Sequence, residues 1–173
     1  MIVEGRAWVF GDDINSDLLY PQAAFGLPLD EALGYVFRAN RPGWVDLVQP
    51  GDIIVGGRNF GMGSARTAGA LLRRLGIAAC TADSFASLFF RNGINTGLPV
   101  LACPGVTAVV EEGQRVRLDL GSGLVRNLDT GAEAQGARLP AELLETLTGG
   151  GILPSLERRG LIAPPAQIGR AHV

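Results

Sequence analysis

The sequence predicts an α/β domain of layered β/β/α type, a parallel βαβαβ core joined to antiparallel strands. Three observations carry that reading. Between residues 52 and 102, short apolar runs alternate with helical segments, the order that folds as a parallel sheet with right-handed crossovers. Between residues 115 and 128, two alternating runs flank Gly121-Ser122-Gly123, the pattern of an antiparallel hairpin. The chain has 173 residues, 47% hydrophobic and 18% charged, so it is long and apolar enough to bury about 70% of its unfolded surface in one core. A single domain is expected over residues 1–162, with a loosely held tail over 163–173.

Each element follows from local chemistry. Trp8-Val9-Phe10 reads as a short strand closed by Gly11-Asp12-Asp13. Residues 14–50 are irregular, broken by Pro21, Pro28, Pro42 and Pro50, with a short helix over Leu29–Phe37. Asp52–Val55 is a buried strand ending at Gly56-Gly57. A helix runs from Ser64 or Ala65 to Leu75 and stops at Gly76. Ile77–Thr81 is the second strand, Ser84 an N-cap for a helix over Phe85–Arg91, and Leu98–Ala102 the third strand. After the hairpin of 115–120 and 124–128, Pro140 starts a helix to Leu147, glycines 149–151 break it, and Ile152–Arg159 forms another.

The composition excludes several chemistries. The cysteines are Cys80 and Cys103, the single histidine is His172 in the tail, and all 15 basic residues are arginines. A four-ligand structural zinc site, an iron–sulfur cluster held by this chain, a histidine-dependent triad and a Schiff-base lysine all lack their residues. Both cysteines read as buried small apolar residues of a reducing compartment, which places the chain in the cytoplasm. The net charge of -2 comes with dispersed arginines, so no nucleic-acid face is expected. Charge interrupts the opening residues, against a signal peptide, and no apolar stretch reaches the length of a membrane span.

Two segments carry candidate chemistry. Gly57-Arg58-Asn59-Phe60-Gly61-Met62-Gly63-Ser64-Ala65-Arg66 lies between a strand and a helix. Its glycines permit a sharp turn and close approach to a ligand, and helix-start amides favour an anion. A serine hydroxyl beside an arginine and a positive helix end is eased toward its deprotonated form, so Ser64 could act as a base without histidine. The plainer account is an N-cap and a turn. A third account is a dinucleotide fingerprint, with Gly61 and Gly63 as its glycines and Asp83 as its acidic residue, but Arg66 stands where the third glycine belongs. The second segment, Gly11-Asp12-Asp13-Ile14-Asn15-Ser16-Asp17, has three aspartates. It lacks the glycine and glutamate of a calcium loop, so it reads as a polar turn at a site.

Together these segments resemble the small-subunit family of 3-isopropylmalate dehydratase. So do Ser84-Phe85-Ala86 with Phe89-Phe90-Arg91-Asn92 and Gly97-Leu98-Pro99-Val100, and the late Arg126-Asn127-Leu128-x-Thr130-Gly131. The family corresponds to the swivelling domain of aconitase. The resemblance implies a hydro-lyase half, completed by a large subunit that carries a four-iron, four-sulfur cluster, in a heterodimer or heterotetramer; no cofactor is expected on this chain. It implies Ser64 as the base that removes a proton from carbon, Arg66 as a carboxylate holder, and Asp17 at the site edge. Gly63 and, in a substrate loop at about residues 20–46, Phe25 and Leu27 would contact a small hydroxy diacid. In that loop Leu29, Leu33, Arg38 and Arg41 are open to two readings, as substrate contacts or as core and solvated residues. The family pattern Gly-Cys-Gly-Ser-Ser-Arg-Glu-His departs here at Met62, Ala65, Thr67 and Ala68. Those departures bear on the substrate. 2-Isopropylmalate leads; homocitrate, citramalate/citraconate or dimethylmalate types are the alternatives, with a non-catalytic swivel module as another.

Overall fold

The computed structural model describes residues 1–63 and 68–163. Among these, the strands form one seven-stranded mixed sheet. They are β1 (Ile2–Val9), β2 (Ile53–Gly56), β3 (Ala79–Ala82), β4 (Val100–Ala102), β5 (Arg115–Asp119), β6 (Leu124–Asn127) and β7 (Glu133–Gln135), in spatial order β4-β3-β2-β1-β5-β6-β7. The β1–β4 half is parallel and the β5–β7 half antiparallel.

β1 joins the halves by changing partners along its length. Ile2–Arg6 pair antiparallel with β5, and Ala7–Val9 pair parallel with β2. The change falls between Arg6 and Ala7; just before it, at Gly5, a side-chain carbon would stand 2.0 Å from the carbonyl oxygen of Gly51. Only glycine lets the two backbones pass there. The sheet also curls. Beyond β7, the Ala137 amide donates to Ala102 of β4 at 3.2 Å, so the two edges meet.

The helices are α1 (Ser16–Leu19), α2 (Leu29–Ala32), α3 (Trp44–Leu47), α4 (Ala68–Arg74), α5 (Ser87–Thr96), α6 (Val106–Val109), α7 (Ala141–Thr148) and α8 (Ile152–Arg158). α4 and α5 are the crossovers between parallel strands, and they pack on each other. Leu71 and Leu72 of α4 and Phe89 of α5 are fully buried, each contributing roughly 2 kcal/mol of apolar burial. β2 and β3 are buried at every position, as strands covered on both faces must be. The hairpin turn is held by Asp119, whose carboxylate accepts from the Gly121 amide at 3.0 Å and the Ser122 hydroxyl at 2.8 Å.

The structure corrects several expectations. The first strand begins at Ile2, not Trp8, and Phe10 lies beyond it. The helix expected over Leu29–Phe37 is α2 followed by a separate 3-10 turn, Leu33–Tyr35. α5 starts at Ser87 with Ala86 as its cap residue. Ser84 does not cap it, because its hydroxyl accepts the Asn59 amide at 2.8 Å and Phe85 is drawn into a bridge with Phe60. The start of the helix before Ala68, and the tail from residue 164, lie outside the described residues. Cys80 and Cys103 are buried and unpaired.

Candidate functional site

Three loops gather at the C-terminal ends of the parallel strands, where open α/β sheets place their ligands. The loops after β1 and β2 are joined by backbone bonds. Phe10 N donates to Val55 O at 2.8 Å, Asp13 N to Arg58 O at 2.8 Å, Gly61 N to Ile14 O at 2.7 Å and Ser16 N to Met62 O at 2.6 Å. The loop after β3 is bound to the same assembly, with Phe60 N donating to Ser84 O at 2.9 Å. Phe60, Phe85 and Phe89 pack as an aromatic cluster beneath it, with Phe85 and Phe89 stacked at 5.7 Å.

Side chains fix the turn. Arg58 donates to Asp12 Oδ2 through Nε at 2.9 Å and Nη2 at 2.7 Å, while its amide donates to Oδ1 at 2.7 Å. The backbone and guanidinium bonds from Arg58 hold the Asp12 carboxyl below its ordinary range. Asn59 donates to Asp13 Oδ1 at 3.0 Å and to the Met62 sulfur at 3.3 Å. Asp12 and Asp13 are therefore spent on turn geometry, and the segment is the polar turn that the sequence suggests.

Gly63 and Asp17 come together through this pairing. Gly63 has φ +103°, and a side-chain carbon on it would meet Ser16 Oγ at 2.4 Å and Asn15 Oδ1 at 3.1 Å. Asn15 Oδ1 caps α1 by accepting the Asp17 amide at 2.9 Å. Asp17 is exposed, and its carboxylate has no ion-pair partner among the described residues. Ser64 and Arg66 lie outside the described residues. Phe25 is 57% exposed and sits against Tyr20 with ring centres 4.8 Å apart. Leu27 is half-buried and packs on the core. Phe25 and Leu27 thus follow the Asp17 helix on the next turns of the loop.

The structure separates the two loop arginines that the sequence left open. Arg41 is structural. It donates to Val9 O at 3.4 Å and to Glu112, and its guanidinium lies 4.9 Å from the Trp8 ring centre and 5.2 Å from that of Phe10. Arg38 is exposed over the ring of Tyr35 at 5.5 Å. A charge at Arg38 could not be told from one at Arg41 by sequence, since the signal is tertiary. Leu29 remains 39% exposed, and Leu33 packs on the core.

The dinucleotide account is overturned. The Gly61 and Met62 amides that would meet a phosphate both donate to Ile14 O. Asp83, in the position of a ribose ligand, instead accepts from Gly105 N at 2.9 Å and the Thr107 hydroxyl at 2.7 Å. The late motif is also structural: buried Asn127 donates to Val109 O at 2.8 Å and to Gln114, and accepts the amides of Asp129 and Thr130.

The residues present do not fit an iron–sulfur cluster. Among the described residues no three His, Cys, Asp or Glu side chains converge on a metal position. Burial pushes both thiols up, that of Cys103 to about 11, so neither is the thiolate that a cluster requires.

A curled mixed sheet with its loop site at the strand ends defines the class. The model of the aconitase C-terminal domain matches residues 46–104. Among relatives, the 3-isopropylmalate dehydratase small subunit 1 of Methanopyrus kandleri is 42% identical over 92% of this chain and 95% of its own. The isopropylmalate/citramalate isomerase small subunit of Methanocaldococcus jannaschii is 39% identical over 91% and 95%. The methanogen homoaconitase small subunit of Methanothermobacter thermautotrophicus is 40% identical over 88% and 89%. The crystal structure of a 3-isopropylmalate dehydratase from M. jannaschii superposes with a TM-score of 0.85 at 30% identity, covering 93% of this chain and 96% of that one. The chain belongs to the 3-isopropylmalate dehydratase small-subunit family, whose members are parts of aconitase-type hydro-lyases.

Proposed function

We propose that the chain is the small subunit of a hydro-lyase that dehydrates and rehydrates a small 2-hydroxy diacid, with 2-isopropylmalate as the leading substrate. Ser64 takes the proton from carbon and Arg66 holds a carboxylate, stabilising the charge that develops as the proton leaves. Asp17 accepts a hydrogen bond at the edge of the same site. Phe25 and Leu27 face the alkyl substituent. The large subunit would hold a four-iron, four-sulfur cluster, which would supply Lewis-acid chemistry. Residues 1–162 act as one swivel-type domain in the cytoplasm; no helix among the described residues is long and apolar enough to cross a membrane.

The observation that supports this reading is the pairing of the two loops, which sets Gly63, the residue before Ser64 in sequence, against Asn15 and Ser16, the two residues before Asp17. The relatives' names span isopropylmalate, citramalate and homoaconitase activities. A panel of hydroxy diacids therefore tests the substrate.

The experiment is reconstitution with an iron–sulfur large subunit, followed by Ser64→Ala. Loss of the base lowers kcat about 10²- to 10⁴-fold with KM little changed. An undiminished rate removes Ser64 from the role.

A further inference from the structure

Beside α1 the surface forms an open hollow of about 270 Å³, lined by Leu18, Pro21, Ala23 and Tyr35 and by two charged side chains, Asp17 and Arg38. Oppositely charged groups in one hollow ordinarily pair. These two do not, and neither has an ion-pair partner elsewhere among the described residues. The contrast with Arg41, three residues on, is complete: that guanidinium is occupied by Glu112, Val9 O and two aromatic rings. Arg38 is instead placed over Tyr35. Stacking of this kind restricts the side chain while leaving its N–H fork open for a planar anion.

A ligand complementary to this hollow is small. It has an anionic group for Arg38, a hydrogen-bond donor for Asp17, and an apolar body for Leu18, Pro21 and Tyr35. A hydroxy diacid with an alkyl arm meets all three demands. We infer that Arg38 is a substrate-binding residue that receives one carboxylate of the hydroxy diacid, in a subsite whose other polar member is Asp17. This rests on the proposed hydro-lyase function and adds to it a second arginine, so that the two carboxylates have separate holders in Arg66 and Arg38.

The test uses the reconstituted complex with its large subunit. Arg38→Ala raises KM for the diacid about 10- to 100-fold, the range set by a hydrogen bond to a charged group, with kcat changed less than about threefold. Arg38→Lys recovers part of the affinity, because it restores the charge without the fork. The thermal midpoint of Arg38→Ala stays at the wild-type value, since among the described residues the Arg38 side chain bonds no other element. An unchanged KM in an active complex overturns the inference and leaves the proposed function standing. A fall in kcat without a rise in KM also overturns it. A wild-type complex that turns over no member of the diacid panel overturns both.

Discussion

The amide of Ser16 donates to the carbonyl of Met62 at 2.6 Å. This bond ties the first turn of α1 to the loop that precedes α4, and with the other backbone bonds between these loops it brings residues distant in sequence together. The neighbouring Gly63 completes the contact. At φ +103°, with Ser16 Oγ in the way, no side chain fits there without displacement. Gly63→Ala is expected to lower folding stability by about 1–3 kcal/mol, read from urea denaturation. It should also reduce kcat/KM in the reconstituted complex by more than the unfolded fraction accounts for, because α1 and Asp17 shift with Ser16. Wild-type stability in the variant would show that the loop pairing yields freely.

Arg41 closes the far end of the loop after α1 onto the body. With Arg6 it flanks the Trp8 indole, at 4.9 and 4.7 Å from the ring centre. Arg41→Ala removes these contacts along with the pair to Glu112, at an expected cost of about 1–2 kcal/mol. The thermal midpoint falls and tryptophan emission shifts, as Trp8 and Trp44 lie edge to face at 6.0 Å. Arg38→Ala does neither. The two variants together separate a loop clamp from a ligand contact.

The thiols give a chemical check on burial. Cys80 is fully buried in β3 and Cys103 is buried just beyond β4. Burial pushes both thiols up, with Asp83 adding to the effect at Cys103. At pH 7–8 neither presents a thiolate, so a disulfide reagent should label no cysteine of the native chain and both after denaturation. Fast labelling of Cys103 in the native chain would mean that the end of β4 opens readily.

The parallel core and the hairpin are legible because their signals are local: apolar runs at 52–55, 77–81 and 98–102, which fold as strands at 53–56, 79–82 and 100–102, and the alternation around Gly121–Gly123. β1 was only half legible. Glu4-Gly5-Arg6 looks unlike a strand until β5 supplies Arg117 opposite Glu4, with the Arg117 Nε donating at 2.6 Å, and Gly51 crowds Gly5. Four-residue helices such as α1 and α6 are shorter than any readable period. Ser84 misled because an N-cap and a loop acceptor have the same local sequence, and Asn59 decides between them from another loop. The motifs name Asp17 and Gly63 as candidates. Their meeting through Ser16 is not legible there, since backbone pairing of two loops leaves no mark in side-chain pattern.

Asp52 sets the response of the fold to acid. It is 4% exposed at the start of β2. It accepts Arg6 Nη2 at 2.7 Å, the Trp8 indole N–H at 2.7 Å and the Gln49 amide at 2.8 Å. Burial works to raise its carboxyl, but the bonds from Arg6, Gln49 and Trp8 outweigh it and hold the group below the ordinary range. A carboxyl depressed in the folded chain binds its proton more weakly there than in the unfolded chain. Its contribution is therefore full above the unfolded value, about 3.9, and is lost as pH falls through the lower folded value. Asp52→Asn keeps an acceptor for Trp8 but loses the charge facing Arg6, at an expected cost of about 1.5–3 kcal/mol at neutral pH. The stability gap between variant and wild type should hold from pH 7 to about 5 and narrow below about 4, as read from denaturant midpoints. A gap that stays constant through pH 3 would mean that the ionised carboxylate is not what holds Arg6 and Trp8 against β2.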